Sequence, residues 1–314
     1  MTLTYRSFDG TPIHAWSALP TSAVPRAKVI LVHGFGTHSE SIHFQFLRDH
    51  LTRAGVAVYG LDLRGFGRSG GRRAFVRDWQ DFLEDLRLFI QAVERSGPPL
   101  NLFLSGVSLG GLIAVNYALH SPQGIRGVIA LSPALEASGV PAWRRMLARG
   151  LASAFPTLTL KTGLDGTRLT RDQDAQRAFL SDPFLQSAIT LRLASQTLAA
   201  MAETAALLPR LDLPLLVLHG LEDVIVPPTS ATRVHQLAGS ADKELLLFEG
   251  ALHVLSMETN REDVFDCISS WISNRSEGRT IRESDSGRAV PAVADVVGPA
   301  PVGLLVVKKP LRTR

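Results

Sequence analysis

Three residues far apart in this 314-residue chain have the surroundings that acyl-transfer chemistry requires: a serine, an aspartate and a histidine. The stretch "NLFLSGVSLGGLIAVNYAL", residues 101–119, runs from an apolar segment through Gly106, Ser108, Gly110 and Gly111 into a helix-like run. A serine on a sharp strand-to-helix turn projects its hydroxyl from the sheet edge, and small neighbours make room for the bend. The following helix adds the positive end of its dipole beside Ser108. A hydroxyl needs a base, and the base needs a carboxylate to orient it. "PLLVLHGLEDVIVPP" puts Asp223 just beyond one apolar run, with Glu222 as the competing acid. "KELLLFEGALHVLSME" puts His253 beyond another. The order Ser108, Asp223, His253 suits a serine elbow on a parallel sheet. A tetrahedral intermediate also needs two backbone N–H donors, each worth about 3 kcal/mol. Leu109, after the serine, offers one, and Phe35 in "VHGFGTHSE" offers the other, with Gly34 and Gly36 letting that backbone come close.

The elements that must hold these residues are legible as alternating patterns. Apolar runs at 28–34, 56–62, 101–106, 125–133, 214–220 and 243–250 show little polar alternation, as parallel strands buried on both faces do. Helical periodicity covers about 42–54, 78–95, 109–120, 229–238 and 261–273. The pattern predicts an α/β fold with a mostly parallel central sheet and helices on both faces. Segments 3–8 and 13–19 flank Asp9-Gly10 and predict an antiparallel edge hairpin.

Between Ala134 and Leu208 no strand is evident. "VPAWRRMLARGLASAF" (140–155) predicts an amphipathic helix, and further helices are expected over 171–181 and 183–206. The expected organisation is a core of residues 1–133 and 209–274, a helical cap over 134–208 inserted between two late strands, and a disordered basic tail over 275–314. The formal charge of +4 lies in that tail: residues 1–274 carry 25 Lys+Arg against 25 Asp+Glu, and 275–314 carry eight against four. A neutral body without a basic stripe argues against a nucleic-acid partner. The single cysteine, Cys267, excludes an internal disulfide and is expected in the core. No secretory signal opens the sequence and no apolar run approaches the ~20 residues that span a bilayer, so a cytoplasmic protein is expected.

Four blocks together resemble the monoacylglycerol lipase and lysophospholipase branch of the α/β-hydrolase superfamily: "HGFGTHS" (33–39), "DLRGFGRSGGRR" (62–73), "GVSLGG" (106–111), and "HGLEDVIVP" with "GALHVLSME" (219–227, 250–258). "LTRD" and "SDP" in the insertion resemble segments of bacterial members. The resemblance spans about residues 1–273. It implies an α/β-hydrolase fold, a structural role for Arg64, and hydrolysis of single-chain lipid esters through Ser108, Asp223 and His253 without a cofactor. Phe35 stands where relatives often have a smaller residue. Trp143, Met146, Phe155, Phe179, Phe184 and Ile189 are the candidate acyl contacts, and the cap is a candidate for peripheral membrane contact.

Other readings stay open on the sequence. The ester could be a lysophospholipid or a short or aromatic ester. An aminopeptidase would want cap acids to hold an amine, and 134–208 holds six: Glu136, Asp165, Asp172, Asp174, Asp182 and Glu203. A ligand-binding protein on a hydrolase fold is the non-enzymatic alternative. His33 and His219 are read as loop-shaping residues, and the five-residue spacing of His33, His38 and His43 does not suit a metal site. No phosphate-binding P-loop occurs among Gly65, Gly67, Gly70 and Gly71.

Overall fold

The computed structural model describes residues 2–21, 24–136, 150–163, 165–276 and 304–307. Strands β1 (Thr2–Arg6), β2 (Pro12–Ala18), β3 (Ala27–Val32), β4 (Val56–Leu61), β5 (Leu102–Val107), β6 (Gly127–Leu131), β9 (Leu215–Gly220), β10 (Lys243–Phe248) and β11 (Leu304–Val307) form one sheet. Its order is β1-β2-β4-β3-β5-β6-β9-β10-β11. β1 and β2 make the antiparallel edge, and every pairing from β4 onward is parallel.

The apolar runs become strands because both sheet faces are covered. Val29 and Leu31 enter one core while Ile30 and Val32 enter the other, and Phe103 and Leu104 divide likewise. Helices α1 (Ile42–Arg53) and α7 (Arg261–Ser276) pack on the first face. Helices α2 (Gln80–Arg95), α3 (Leu109–His120) and α6 (Thr229–Leu237) pack on the second. α3 is buried without a break from Leu109 to Ala118, which is why its sequence is apolar all round. Each buried Leu, Ile or Phe contributes about 1.5–3 kcal/mol. Cys267 lies at the margin of the first core, partly buried rather than inside it.

Two cations brace this frame. Lys28 on β3 donates to Val93 O (2.9 Å) and Ser96 O (2.5 Å), closing the carbonyl end of α2. Arg64 forms a two-pronged pair with buried Asp85 (2.6 and 2.7 Å) and reaches Asp9 at 2.8 Å. Burial works against its charge, but the bonds to Asp85 and Asp9 more than offset that and hold it a cation.

Between β6 and β9 the chain leaves the sheet. Residues 150–154 are helical; the rest of the helix expected from 140 falls outside the described residues, as do Trp143 and Met146. Helices α4 (Gln173–Leu180) and α5 (Leu191–Leu207) follow. The expected helix over 183–206 starts late because residues 182–185 form a turn and 188–190 a strand. Gln186 N–H donates to Gly36 O at 2.7 Å, and β8 (Ala188–Thr190) pairs antiparallel with β7 (Thr159–Lys161). That short two-stranded ladder has no counterpart in the sequence pattern. The tail reading is also corrected in part. α7 runs to Ser276, and β11 completes the sheet, because the open edge of β10 offers unpaired N–H and C=O groups to an apolar run. Among the described residues no helix is long and apolar enough to cross a membrane.

Asp85→Ala leaves Arg64 a buried cation without its main partner, so urea unfolding should show a loss of about 3–5 kcal/mol. A loss below about 1 kcal/mol would show that the pair does not brace the fold.

Candidate active site

The chain turns back on itself between β3 and β5. From β3 it runs outward to β4, and from β5 it runs the other way to β6, so the loops after β3 and β5 diverge and leave a crevice at the carboxyl edge. Ser108 sits there, between β5 and α3, at φ 55° and ψ −115°. The turn needs its glycines. A Cβ on Gly106 would meet the carbonyl of Gly110, and one on Gly110 would meet the carbonyls of Val32 and His33. Ser108 N–H donates to Leu131 O at 2.9 Å, and Ser108 O accepts from Leu112 (3.0 Å) and Ala134 (3.1 Å).

The loops after β9 and β10 bring Asp223 and His253 together. His253 Nδ1 lies 2.7 Å from Asp223 Oδ2, both residues being 5% exposed. An ionised carboxylate only accepts, so Nδ1 carries the proton and Nε2 is free to act as a base. Asp223 Oδ1 accepts from the N–H groups of Ile225 (2.8 Å) and Val226 (3.0 Å). His219 Nε2 lies 3.0 Å from Asp223 Oδ2 and 2.9 Å from Val226 O. Two acceptors around one nitrogen make it a donor. Burial favours the neutral acid, but the bonds from His219, His253 and Val226 outweigh it and hold the Asp223 carboxyl well below the usual range. Glu222, the competing acid, is turned outward and pairs with Arg171. Ser132 Oγ donates to His253 O at 2.8 Å, and its N–H bonds Leu218 O, so the histidine loop is pinned across β6 and β9.

On the other side of Ser108 lies the loop carrying Phe35. A Cβ on Gly34 would stand 3.2 Å from Val107 O and 3.5 Å from Ser108 Cβ, so the two loops are in van der Waals contact. His33 shapes this loop. Leu63 N–H must donate, so His33 Nε2 accepts (2.9 Å), and Nδ1–H bonds Gly34 O at 2.8 Å. Burial depresses its pKa to about 4, which keeps this neutral tautomer. Asp62 accepts from Ser39 N–H (2.8 Å), Ser39 Oγ (2.6 Å) and Arg68 N–H (2.7 Å), joining two sequence blocks. Leu109 is the first residue of α3, where a backbone N–H has no partner within its helix. Phe35 packs edge-on against Phe66, ring centres 5.8 Å apart.

The candidate acyl contacts are placed unevenly. Phe184 lies against His38 (5.3 Å) and under the Arg68 guanidinium (4.6 Å). Ile189 packs on the main core, Phe179 fills a cluster with Leu169, Val254 and Met257, and Phe155 is 58% exposed. His33, His38 and His43 each have separate partners: Gly34 and Leu63, Asp182, and Ser41. Sequence reasoning did not single out Ser132, Arg171 or Glu258, and named Asp182 only among the acids that could hold an amine; the bonds of all four hold the loops. Arg171, Asp182 and Glu258 lay within the "LTRD", "SDP" and "GALHVLSME" blocks, and Ser132 lay in none.

A parallel sheet with a serine elbow at its crevice and an aspartate–histidine pair on later loops is the α/β-hydrolase architecture. The sequence matches the serine aminopeptidase, S33 family (Hydrolase_4) over residues 23–260, and the chain belongs to it. It is similar to the monoacylglycerol lipase of Mycolicibacterium smegmatis, with 30% identity over 253 residues that cover 79% of this chain and 88% of that protein. Among solved structures, the monoacylglycerol lipase of Paleococcus ferrophilus superposes with TM-score 0.76 at 30% identity, covering 84% of this chain and 99% of that one. A soluble variant of the Saccharomyces cerevisiae monoglyceride lipase, in complex with a substrate analog, gives 0.78 at 28% identity, covering 87% and 94%.

The depressed Asp223 carboxyl binds its proton less readily folded than unfolded. Its contribution to stability is therefore present above the ordinary value of 3.8 and is lost as pH falls through the lower folded value. Asp223→Asn should flatten the acid dependence of unfolding free energy below about pH 5, by up to ~1.4 kcal/mol per pH unit. Parallel curves for the two proteins would contradict this electrostatic reading.

Proposed function

We propose that the chain is a carboxylic ester hydrolase acting on monoacylglycerol or a similar single-chain lipid ester through Ser108, His253 and Asp223. The observation that carries this reading is the Asp223–His253 bond on the loops after β9 and β10, together with a strained serine at the sheet's crevice. Ser108 Oγ attacks the ester carbonyl while His253 Nε2 takes its proton, and Asp223 stabilises the imidazolium. The oxyanion rests on the N–H groups of Phe35 and Leu109. His253 then protonates the departing alcohol, and the acyl group stays on Ser108. Water attacks the acyl-enzyme by the reverse proton path, releasing the acid and restoring the hydroxyl. Every step uses the chain's own groups, without a cofactor.

Similarity to monoacylglycerol lipases supports the substrate class. Among the described residues, each of the six acids in 134–208 already has a partner, which weighs against the aminopeptidase reading. Asp182 pairs with His38, Asp172 with Arg261, Asp174 with Arg177 and Glu136 with Arg233. Asp165 caps a turn at Thr167, and Glu203 lies against His120. Leu151, Phe155, Leu158 and Leu160 are exposed within ten residues of the cap. They support peripheral contact with a lipid surface, where such esters reside.

A fluorophosphonate probe should label the protein, and Ser108→Ala should remove labelling and at least ~10⁴-fold of turnover without unfolding. Labelling that survives the substitution would exclude Ser108 as the nucleophile. Across a series of monoacylglycerols, kcat/KM should rise by up to about fourfold per added methylene until the acyl site is filled. No rise from short acyl chains upward, or higher turnover of lysophosphatidylcholine, would redirect the substrate assignment.

A further inference from the structure

The mechanism above needs the loops of Asp223 and His253 at a fixed separation, yet they rise from different strands. The cap segment Leu169–Asp172, "LTRD", touches both. Leu169 O accepts from Val254 N–H at 2.8 Å. Thr170, fully buried, donates through Oγ1 to Met257 O at 2.9 Å. One guanidinium nitrogen of Arg171 donates to Gly250 O and another to the Glu222 carboxylate. Gly250 is three residues before His253, and Glu222 is next to Asp223. Behind this bridge, buried Glu258 accepts from Leu252 N–H at 2.8 Å and from Arg171 N–H at 3.4 Å. Asp172 pairs with Arg261 at 2.8 Å, fastening the same segment to the start of α7.

We propose that Arg171 is a positioning residue for the hydrolytic reaction, a cap-borne fork that sets the spacing of the Asp223 and His253 loops. The inference rests on the functional reading above. The side chain suits the task. Its planar fork presents donors in fixed relative directions, so two acceptors held at once are held at a defined separation. A lysine would supply charge without that geometry. The fork touches neither of the two loop residues that act in the reaction. It acts through their neighbours, and a displacement of about 1 Å at a reacting group costs on the order of 100-fold in rate. The cap is then part of the framework of the site as well as its cover.

The test uses p-nitrophenyl acetate, too short to draw binding from an acyl groove, beside a long-chain monoacylglycerol. Arg171→Met should lower kcat on both by the same factor, about 10–100-fold, with KM on acetate within about twofold. Arg171→Lys should recover only part of the loss, and Glu222→Gln should reproduce a smaller loss of the same kind. The low-field proton resonance of the His253–Asp223 bond should broaden in all three. If Arg171→Met does not fold, Arg171→Lys and Glu222→Gln carry the comparison alone. Loss confined to the long-chain ester would make Arg171 an acyl-binding residue and overturn the proposal. Unchanged kcat on acetate in both Arg171→Lys and Glu222→Gln would overturn it too. Failure of the functional reading is separate: it would appear as wild-type turnover that survives Ser108→Ala.

Discussion

Ser108 is held at a positive φ that costs a residue other than glycine about 1–3 kcal/mol. The surroundings over-determine that backbone. Its N–H is taken by β6, its carbonyl receives two donors, and glycines 106 and 110 leave no room for the turn to relax. The neighbouring strand end repeats the device: Ser132, after β6, has φ 43°, with its N–H on Leu218 O and its hydroxyl on His253 O. Two adjacent strained serines thus tie the elbow to the histidine loop.

The remaining loops are fixed by neighbours rather than by their own strands. A neutral, buried His33 clamps the β3 loop to Leu63, and Asp62 clamps it again through Ser39. His38 reaches Asp182, between β6 and β9, at 2.7 Å, and Gly36 accepts from Gln186, so that inserted segment braces the loop that carries Phe35. The two ends of α4 are thus fastened to different parts of the body, Asp172 to Arg261 at the start of α7 and Asp182 to His38 in the loop after β3. An eight-residue helix is about 12 Å long, the span of a short strut.

The sheet and its helices were legible because unbroken apolar runs and 3.6-residue periods have one cheap packing solution. The serine elbow was legible because its glycines answer a steric demand made within five residues. The choice of Asp223 over Glu222 was not fully legible. It follows from Ile225 and Val226 N–H groups that turn toward one carboxylate and from an arginine 51 residues away that takes the other. The segment between β6 and β9 was the least legible part. A helix was expected from 183, yet Asp182 bonds Phe184 N–H in a turn, Gln186 bonds Gly36, and residues 188–190 pair with β7, an override of local preference by long-range pairing. β11 was missed for a similar reason: four apolar residues in a polar tail become a strand only where an open sheet edge awaits them.

The most direct measurement is a crystal structure of the protein after reaction with a long-chain alkyl fluorophosphonate. The account predicts phosphorus bonded to Ser108 Oγ, its free oxygen within hydrogen-bond reach of the Phe35 and Leu109 N–H groups, and the His253 ring still on Asp223 with Nε2 turned toward the adduct. Phosphorus on any other residue, or an imidazole directed away from an adduct at Ser108, would contradict it.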